Sequence, residues 1–172
     1  AGVFLVVRCW PLFEGAETLL LAMSWIGAIT ALVAAITASV QTDIKKVLAY
    51  STCSQLGYMV AGLGSGELLG GYFHLTTHAF FKALLFLGAG SVIHAVHSNE
   101  MSEMGGLRKK IPVTAALFAI GTLALAGFPG FSGFFSKDLL LEEVAHAGHW
   151  GPLGILLFVA GLTPFYMMRV YC

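Results

Sequence analysis

Residues 70–96 read GGYFHLTTHAFFKALLFLGAGSVIHAV, an apolar stretch that nevertheless contains His74, His78 and Lys82. As a helix this stretch rises about 40 Å, more than the roughly 30 Å hydrocarbon core of a bilayer. The three ionisable residues recur at every fourth position and so share one helical face, with Thr77 beside them. A lysine near mid-membrane costs about 2.5–3.5 kcal/mol, so we expect this His/Lys stripe to face the interior of a helix bundle.

Two interpretations of the His/Lys stripe remain open. In the first, the histidines are hydrogen-bonded core residues and Lys82 pairs with a buried carboxylate. In the second, the stripe is a proton relay, because imidazole exchanges protons near neutral pH and a desolvated amine releases its proton more readily than one in water. A metal site is disfavoured, because the histidine pair lacks a nearby glutamate or third ligand and the lysine ammonium opposes a metal ion.

The composition of the 172 residues is that of an integral membrane protein. Hydrophobic residues make up 58% and charged residues 10%, against about 25% charged residues in a typical soluble domain. The net charge is zero, so nothing indicates binding to nucleic acid. The sequence has no signal-peptide pattern and opens in the middle of an apolar run, so we expect an internal fragment of a longer protein.

Hydropathy and helix-boundary signals divide the chain into a short tail and five membrane spans. Residues 1–9 are too short to cross a bilayer and are predicted to be the tail of a truncated transmembrane helix. The predicted spans are residues 18–41, 44–63, 70–96, 111–147 and 150–171. The predicted fold is therefore all-α and integral to the membrane. Trp150 and Tyr166 in the last span are typical of the two membrane interfaces.

The span at residues 44–63 has a polar face. Thr42 or Asp43 can cap its first turn. Four residues lie within about 100° of one another on this helix: Ser51, Ser54, Gln55 and Tyr58. They indicate either hydrogen bonds between helices or the border of a hydrated path. Lys45 is either an interfacial anchor or a side chain that leans inwards along its stem.

The span at residues 111–147 is interrupted by the segment PGFSG. Pro129 removes an amide donor and the neighbouring glycines loosen the backbone, so we expect a break between residues 127 and 133. In lipid such a break is tolerated only where protein or water satisfies the freed groups, as in transporters. The alternative is a proline kink with an interfacial pair formed by Lys137 and Asp138. The N-terminal dipole of the second half is expected to favour an ionised Asp138 and to disfavour a protonated Lys137.

The loop charges predict an orientation. One side of the membrane collects six basic residues: Lys45, Lys46, Arg108, Lys109, Lys110 and Arg169. By the positive-inside rule this side is cytoplasmic, or faces the matrix in an organelle. The predicted location is a bacterial inner (plasma) membrane.

The chain resembles the antiporter-like membrane subunits of NADH:quinone oxidoreductase (respiratory complex I), most of all the chain 5 or L type. Four motifs support this: QTDIKKVLAYSTCSQLGYM, FHLTTHAFFKALLFLGAGSVIHA, MGGLRKKIP and GFSGFFSKD. The same family resembles the large subunits of multisubunit sodium/proton antiporters and of membrane-bound hydrogenases, so these are alternatives. A passive scaffold of helices is a third.

The resemblance implies an inverted-repeat transporter fold, in which residues 18–171 form the second five-helix repeat. It implies a proton relay through Lys45, His74, His78, Lys82, Lys137 and Asp138. The hydrated path would be lined by Ser51, Ser54, Gln55, Tyr58 and Thr77. The relay residues of the first repeat lie outside this chain.

The implied function is proton translocation by a subunit of an enzyme complex, with no redox chemistry in this chain. No cofactor is expected in the chain itself, and NAD, FMN, iron–sulfur clusters and quinone are expected in partner subunits. The expected partners are other membrane subunits of the respiratory complex, the lipid bilayer and protons.

Overall fold

The computed structural model describes residues 1–171, in which the regular elements are helices joined by loops, with one isolated bridge between Asp43 and Glu100. The helices are α1 Gly2–Arg8, α2 Glu17–Val40, α3 Ile44–Leu63, α4 Leu69–Val96, α5 Leu107–Lys110, α6 Pro112–Ala126, α7 Ser132–His146 and α8 Trp150–Tyr171. Within residues 1–171, three of them, α2, α4 and α8, are long and apolar enough to cross a membrane. The all-α membrane fold predicted from the sequence is therefore confirmed.

The predicted break separates α6 from α7. Helix α6 ends at Ala126, and Gly127 caps it with a left-handed φ of 78°. The amide of Gly127 donates to Ala124 at 3.2 Å and that of Phe128 to Leu123 at 3.0 Å, which is the bonding pattern of a Schellman cap. Helix α7 begins only at Ser132. The discontinuous helix near residues 127–133 is thus confirmed.

Helices α2 and α3 pack backbone to backbone through small residues. A Cβ atom added at Gly27 would lie 2.6 Å from the carbonyl oxygen of Gly57, and one added at Gly57 would lie 2.6 Å from the amide nitrogen of Ala31. The buried face of α2 consists of Ser24, Gly27, Ala28, Ala31, Ala34, Ala35 and Ala38. Membrane helices approach this closely only where side chains are small.

This contact predicts a large effect of volume on stability. Gly27→Val is expected to destabilise the protein by about 1–3 kcal/mol or more. The new side chain would overlap backbone atoms of α3, which can move only if the whole helix shifts. Gly90→Val is the matched control, since a Cβ there has nothing within 4 Å. The measurement is thermal unfolding of the purified full-length protein in detergent. Equal unfolding midpoints for the two variants would contradict the prediction.

The start of α3 is fixed by a capping residue and by the loop after α4. The carboxylate of Asp43 accepts from the amides of Lys45 at 2.8 Å and Lys46 at 3.2 Å. The amide of Ile44 donates to the carbonyl of Asn99 at 3.1 Å. Of the two capping residues considered from the sequence, Asp43 is therefore the one used, and the polar face of α3 is held in a defined register.

Candidate functional site

The structure places the His/Lys stripe in the interior of the bundle. His74 is fully buried, and His78 and Lys82 are each 5% exposed. On the opposite face of α4, Phe80 is 77% exposed and Leu87 is 74% exposed. The helix thus presents apolar side chains outwards and its ionisable groups inwards, as the cost of charge in lipid predicts.

Lys82 is bound by neutral oxygens of α3. Its Nζ donates to the carbonyl of Leu48 at 2.9 Å and to the hydroxyl of Ser51. The ring centroid of Phe86 lies 5.7 Å from Nζ. A buried carboxylate, which the core interpretation of the stripe requires, is not among these contacts. The ammonium is therefore held by groups that carry no compensating charge.

His74 connects α3 to α7. Its Nε2 lies 2.9 Å from Oε1 of Gln55, and its Nδ1 lies 2.8 Å from the hydroxyl of Ser136. Because an amide oxygen only accepts, Nε2 carries the hydrogen of that bond, and in neutral imidazole Nδ1 accepts from Ser136. The hydroxyl of Thr77 donates to Ser136 at 3.1 Å. Both ring nitrogens of His74 are thus engaged in a chain of groups that can exchange protons.

His78 follows one turn later along α4. Its ring centroid lies 6.1 Å from that of His74 and 5.4 Å from that of Phe81. Its Nε2 is buried and has no hydrogen-bond partner among residues 1–171. His78 therefore retains a free ring nitrogen beside the bonded His74.

Lys137 reaches across the helix break. It is 5% exposed, and its Nζ donates to the carbonyl of Leu125 at 2.7 Å. In a continuous helix that carbonyl would accept from residue 129, but Pro129 has no N–H to give. The proline thus frees the backbone oxygen that binds the lysine. Nζ also lies 5.8 Å from the ring centroid of Tyr58.

The expectation that Lys137 meets the positive end of a half-helix is wrong. Lys137 is the sixth residue of α7, beyond its first turn, and its long side chain extends back to the last turn of α6. Carbonyl groups at a helix C-terminus favour a cation. The break therefore stabilises the ammonium of Lys137 with the first half-helix instead of opposing it with the second.

Two of the predicted relay residues lie away from this buried cluster. Asp138 is exposed, because one residue along a helix turns its side chain by about 100° from the direction of Lys137. Lys45 is also exposed, in the first turn of α3. The structure thus brings together His74, His78, Lys82 and Lys137 but leaves Lys45 and Asp138 outside the cluster.

The polar face of α3 is buried and bonds to three neighbouring helices, α4, α8 and α2. Ser51 and Gln55 bond to the stripe, as described above. The hydroxyl of Tyr58 donates to the carbonyl of Leu156 in α8. The hydroxyl of Ser54 donates to the carbonyl of Ala31 in α2 at 2.9 Å. Ser54 therefore joins α3 to α2 at the edge of the site. Ser51, Gln55 and Tyr58 line the site itself.

Sequence reasoning missed Tyr166 and Ser136. Tyr166 is fully buried, and its hydroxyl lies beside Ser51, Gln55 and Thr163 without a hydrogen bond to any group of residues 1–171. The position of Tyr166 near the end of α8 predicted an interface. The side chain lies on the buried face of α8 and points into the bundle. Ser136 had a usable signal, because it directly precedes Lys137 in the FFSKD motif.

Together these residues form a buried group of hydroxyls, imidazoles and amines. One part of the group is Lys82 with Ser51, and the next part is His74 with Gln55 and Ser136. The hydroxyl of Tyr166 lies beside Ser51 and Gln55. Hydroxyl and imidazole groups both donate and accept, so the arrangement suits proton exchange. Among residues 1–171, no three His, Cys, Asp or Glu side chains are grouped as metal ligands.

The sequence matches a family described as NADH:quinone oxidoreductase/Mrp antiporter, TM, over residues 1–163. The chain belongs to this family. Among curated members of the oxidoreductase branch, NADH-quinone oxidoreductase subunit L from Rhodobacter capsulatus is 50% identical over 99% of this chain and 26% of its own length. The subunit L from Rickettsia bellii is 53% identical, again over 99% of this chain and 26% of its own length. The chain thus spans about a quarter of the length of the curated relatives it matches.

Two solved structures share the fold of this chain. The Mrp complex from Dietzia sp. DQ12-45-1b superposes with a TM-score of 0.90 at 27% identity, covering 98% of this chain and 32% of that one. The membrane-bound sulfane sulfur reductase, an archaeal respiratory membrane complex, gives 0.87 at 28% identity, covering 99% and 36%. These relatives are subunits of multisubunit membrane complexes.

Proposed function

We propose that this chain is part of a proton-translocating, antiporter-like subunit of NADH:quinone oxidoreductase. The observation that supports the proposal is the pair of buried lysines, Lys82 and Lys137, each held by neutral oxygens. Ionisable residues that face the interior of a membrane bundle and bind backbone carbonyls commonly mark ion pathways or proton relays. A lysine that is stabilised only by dipoles can lose its proton without leaving an orphaned counter-charge.

Proton transfer runs along the buried cluster. Lys82 exchanges a proton with the Ser51 hydroxyl, and His74 receives one on Nδ1 from the side of Ser136. Its Nε2 then releases a proton to internal water beside Gln55, whose amide oxygen only accepts a hydrogen bond. The free ring nitrogen of His78 offers a second acceptor between Lys82 and His74. Internal water carries protons over the gaps between these groups. Lys45 and Asp138 serve as exposed members of the path, outside the buried cluster.

The full-length protein of which this chain is a part is a subunit of a larger assembly. Residues 18–171 form the second repeat of the subunit, and residues 1–9 are the end of the first. The partners are other membrane subunits of the respiratory complex, which hold NAD, FMN, iron–sulfur clusters and quinone. The side with Lys45, Lys46 and residues 108–110 faces the cytoplasm of a bacterium, across its inner membrane.

The alternative function is sodium/proton exchange in a multisubunit antiporter. The TM-score of 0.90 to the Mrp complex favours it as the second candidate. The identity of 50% to a subunit L, against 27% to the Mrp chain, favours the respiratory complex.

One experiment tests the proposal and separates the two functions. The full-length protein in its complex is reconstituted in vesicles, and proton uptake is followed during NADH oxidation. A variant with both Lys82 and Lys137 changed to methionine is expected to lose most of the uptake while quinone reduction persists at least in part. Uptake equal to that of the wild type would contradict the proposal. Proton movement that requires a Na⁺ gradient and does not depend on NADH oxidation would favour the antiporter.

A further inference from the structure

Glu143 is a buried carboxylate outside the cluster described above. It lies near the end of α7 and is 8% exposed. Its Oε1 accepts from the amide of Gly70 in α4 at 2.7 Å. Its Oε2 is buried without a hydrogen-bond partner in the part of the chain that the structure describes. Buried carboxylate oxygens normally accept hydrogen bonds, and leaving one without a donor costs free energy. An oxygen of this kind in a folded protein therefore calls for an explanation.

The position of Glu143 continues the His/Lys stripe. Gly70 precedes His74 by four residues, as His74 precedes His78, so all of them lie along one face of α4. On the facing helix α7, Ser136, Leu140 and Glu143 lie within about 60° of one another. Ser136 bonds to His74, and Glu143 bonds to Gly70. Glu143 is therefore the next polar group along the same seam between α4 and α7.

Gly70 leaves room for this carboxylate. A Cβ atom added at Gly70 would lie 2.8 Å from Cδ of Glu143 and 2.9 Å from Cα of Leu140. Any larger residue would force the carboxylate away from the seam. Leu140 is fully buried between Ser136 and Glu143, so an apolar side chain separates the cluster from the carboxylate.

On its other side Glu143 is close to solvent. Glu67, in the turn before α4, and Glu142 are both exposed, and both interact electrostatically with Glu143. Neither carries a compensating positive charge. The carboxylate thus lies between the buried stripe and an acidic surface near the N-terminus of α4.

We infer that Glu143 is the terminal proton carrier of the pathway on this acidic side, an inference that rests on the proposed function. The carboxylate takes a proton that leaves the His74 and Ser136 side of the seam, so that an N–H or O–H bond breaks and a carboxyl O–H bond forms on Oε2. It then releases that proton to water at the acidic surface and returns to the carboxylate. Leu140 prevents direct contact, so transfer past it requires water to enter the seam.

The competing explanation is that Glu143 only caps α4, and Glu143→Gln separates the two. The amide oxygen of glutamine can still accept from Gly70, but the side chain no longer takes up a proton. In the full-length protein in its complex, Glu143→Gln is expected to lower proton uptake per electron at least two-fold. Glu142→Gln, the exposed neighbour, is expected to leave it unchanged.

The outcomes are distinct. Uptake in Glu143→Gln equal to the wild type, with uptake lost in Lys82→Met, overturns this inference and leaves the proposed function standing. Unchanged uptake in Glu143→Gln and in the variant with both Lys82 and Lys137 changed to methionine would instead overturn the proposed function. An equal loss in Glu142→Gln would also overturn the inference, because the effect would belong to the charge of the whole surface.

A second measurement tests the inference if the Glu143→Gln variant does not assemble into the complex. Turnover of the wild-type complex is followed by infrared difference spectroscopy, with Glu142→Gln as control. A carbonyl band of a protonated carboxylic acid is expected in both, and it should persist in Glu143→Asp. Its loss in Glu142→Gln, or its absence from the wild type, would overturn the inference.

Discussion

Replacing Lys82 by methionine is expected to remove most of the proton uptake by the complex, while electron transfer to quinone continues at least in part. Methionine keeps the length of the side chain and its apolar stem but has no proton to exchange. The loss should be several-fold, because Lys82 is the amine of the stripe and bonds directly to Ser51 and Leu48 of α3.

The hydrogen bonds around Lys82 indicate that this variant should still fold. The carbonyl of Leu48 also accepts from the hydroxyl of Ser51 at 3.0 Å and that of Thr52 at 2.9 Å. Removal of the ammonium therefore leaves no buried group without a partner, and it ends the burial of an uncompensated charge. We expect the unfolding temperature of Lys82→Met to equal or exceed that of the wild type.

The measurement is proton uptake per electron transferred in vesicles containing the full-length protein in its complex. Lys109→Met is the matched control, since this lysine is exposed in the short helix α5. It should pump as the wild type does. Full pumping by Lys82→Met would exclude Lys82 from the pathway, and a loss in Lys109→Met of the same size would point to surface charge as the cause.

The sequence was sufficient to locate the break and the buried stripe, because both follow from local rules. Pro129 cannot complete a helical ladder, and three ionisable residues at spacings of four must share a face. The cost of exposing that face to lipid decides which way α4 turns. These features need no knowledge of the neighbouring helices.

The partners of each lysine could not be predicted, because they depend on how helices meet. A long side chain can extend towards either half of a broken helix, and the sequence favoured the wrong half for Lys137. Tyr166 shows the same limit, since distance from a helix end does not tell which face is buried. Asp138 adjoins Lys137 in sequence, but helical geometry separates their side chains.

Lys137→Met is expected to have two effects, in contrast to Lys82→Met. Proton uptake should fall several-fold, because the amine beside His74 and Tyr58 is lost. Stability should also fall, by about 1–3 kcal/mol, because the buried carbonyl of Leu125 loses its donor. Pro129 cannot replace that donor, whereas Leu48 keeps its two hydroxyl donors when Lys82 is changed.

The comparison of the two lysine variants therefore tests the role of the break itself. Thermal unfolding of the full-length protein in detergent should give a lower midpoint for Lys137→Met than for Lys82→Met, while both variants pump poorly. Equal midpoints would mean that the Leu125 carbonyl does not depend on Lys137. If Lys137→Met loses stability but pumps protons as the wild type does, the lysine serves to satisfy the broken helix, and the pathway must run through the stripe on α4 alone. Loss of both properties would mean that the carbonyl freed by Pro129 holds a lysine that also carries protons.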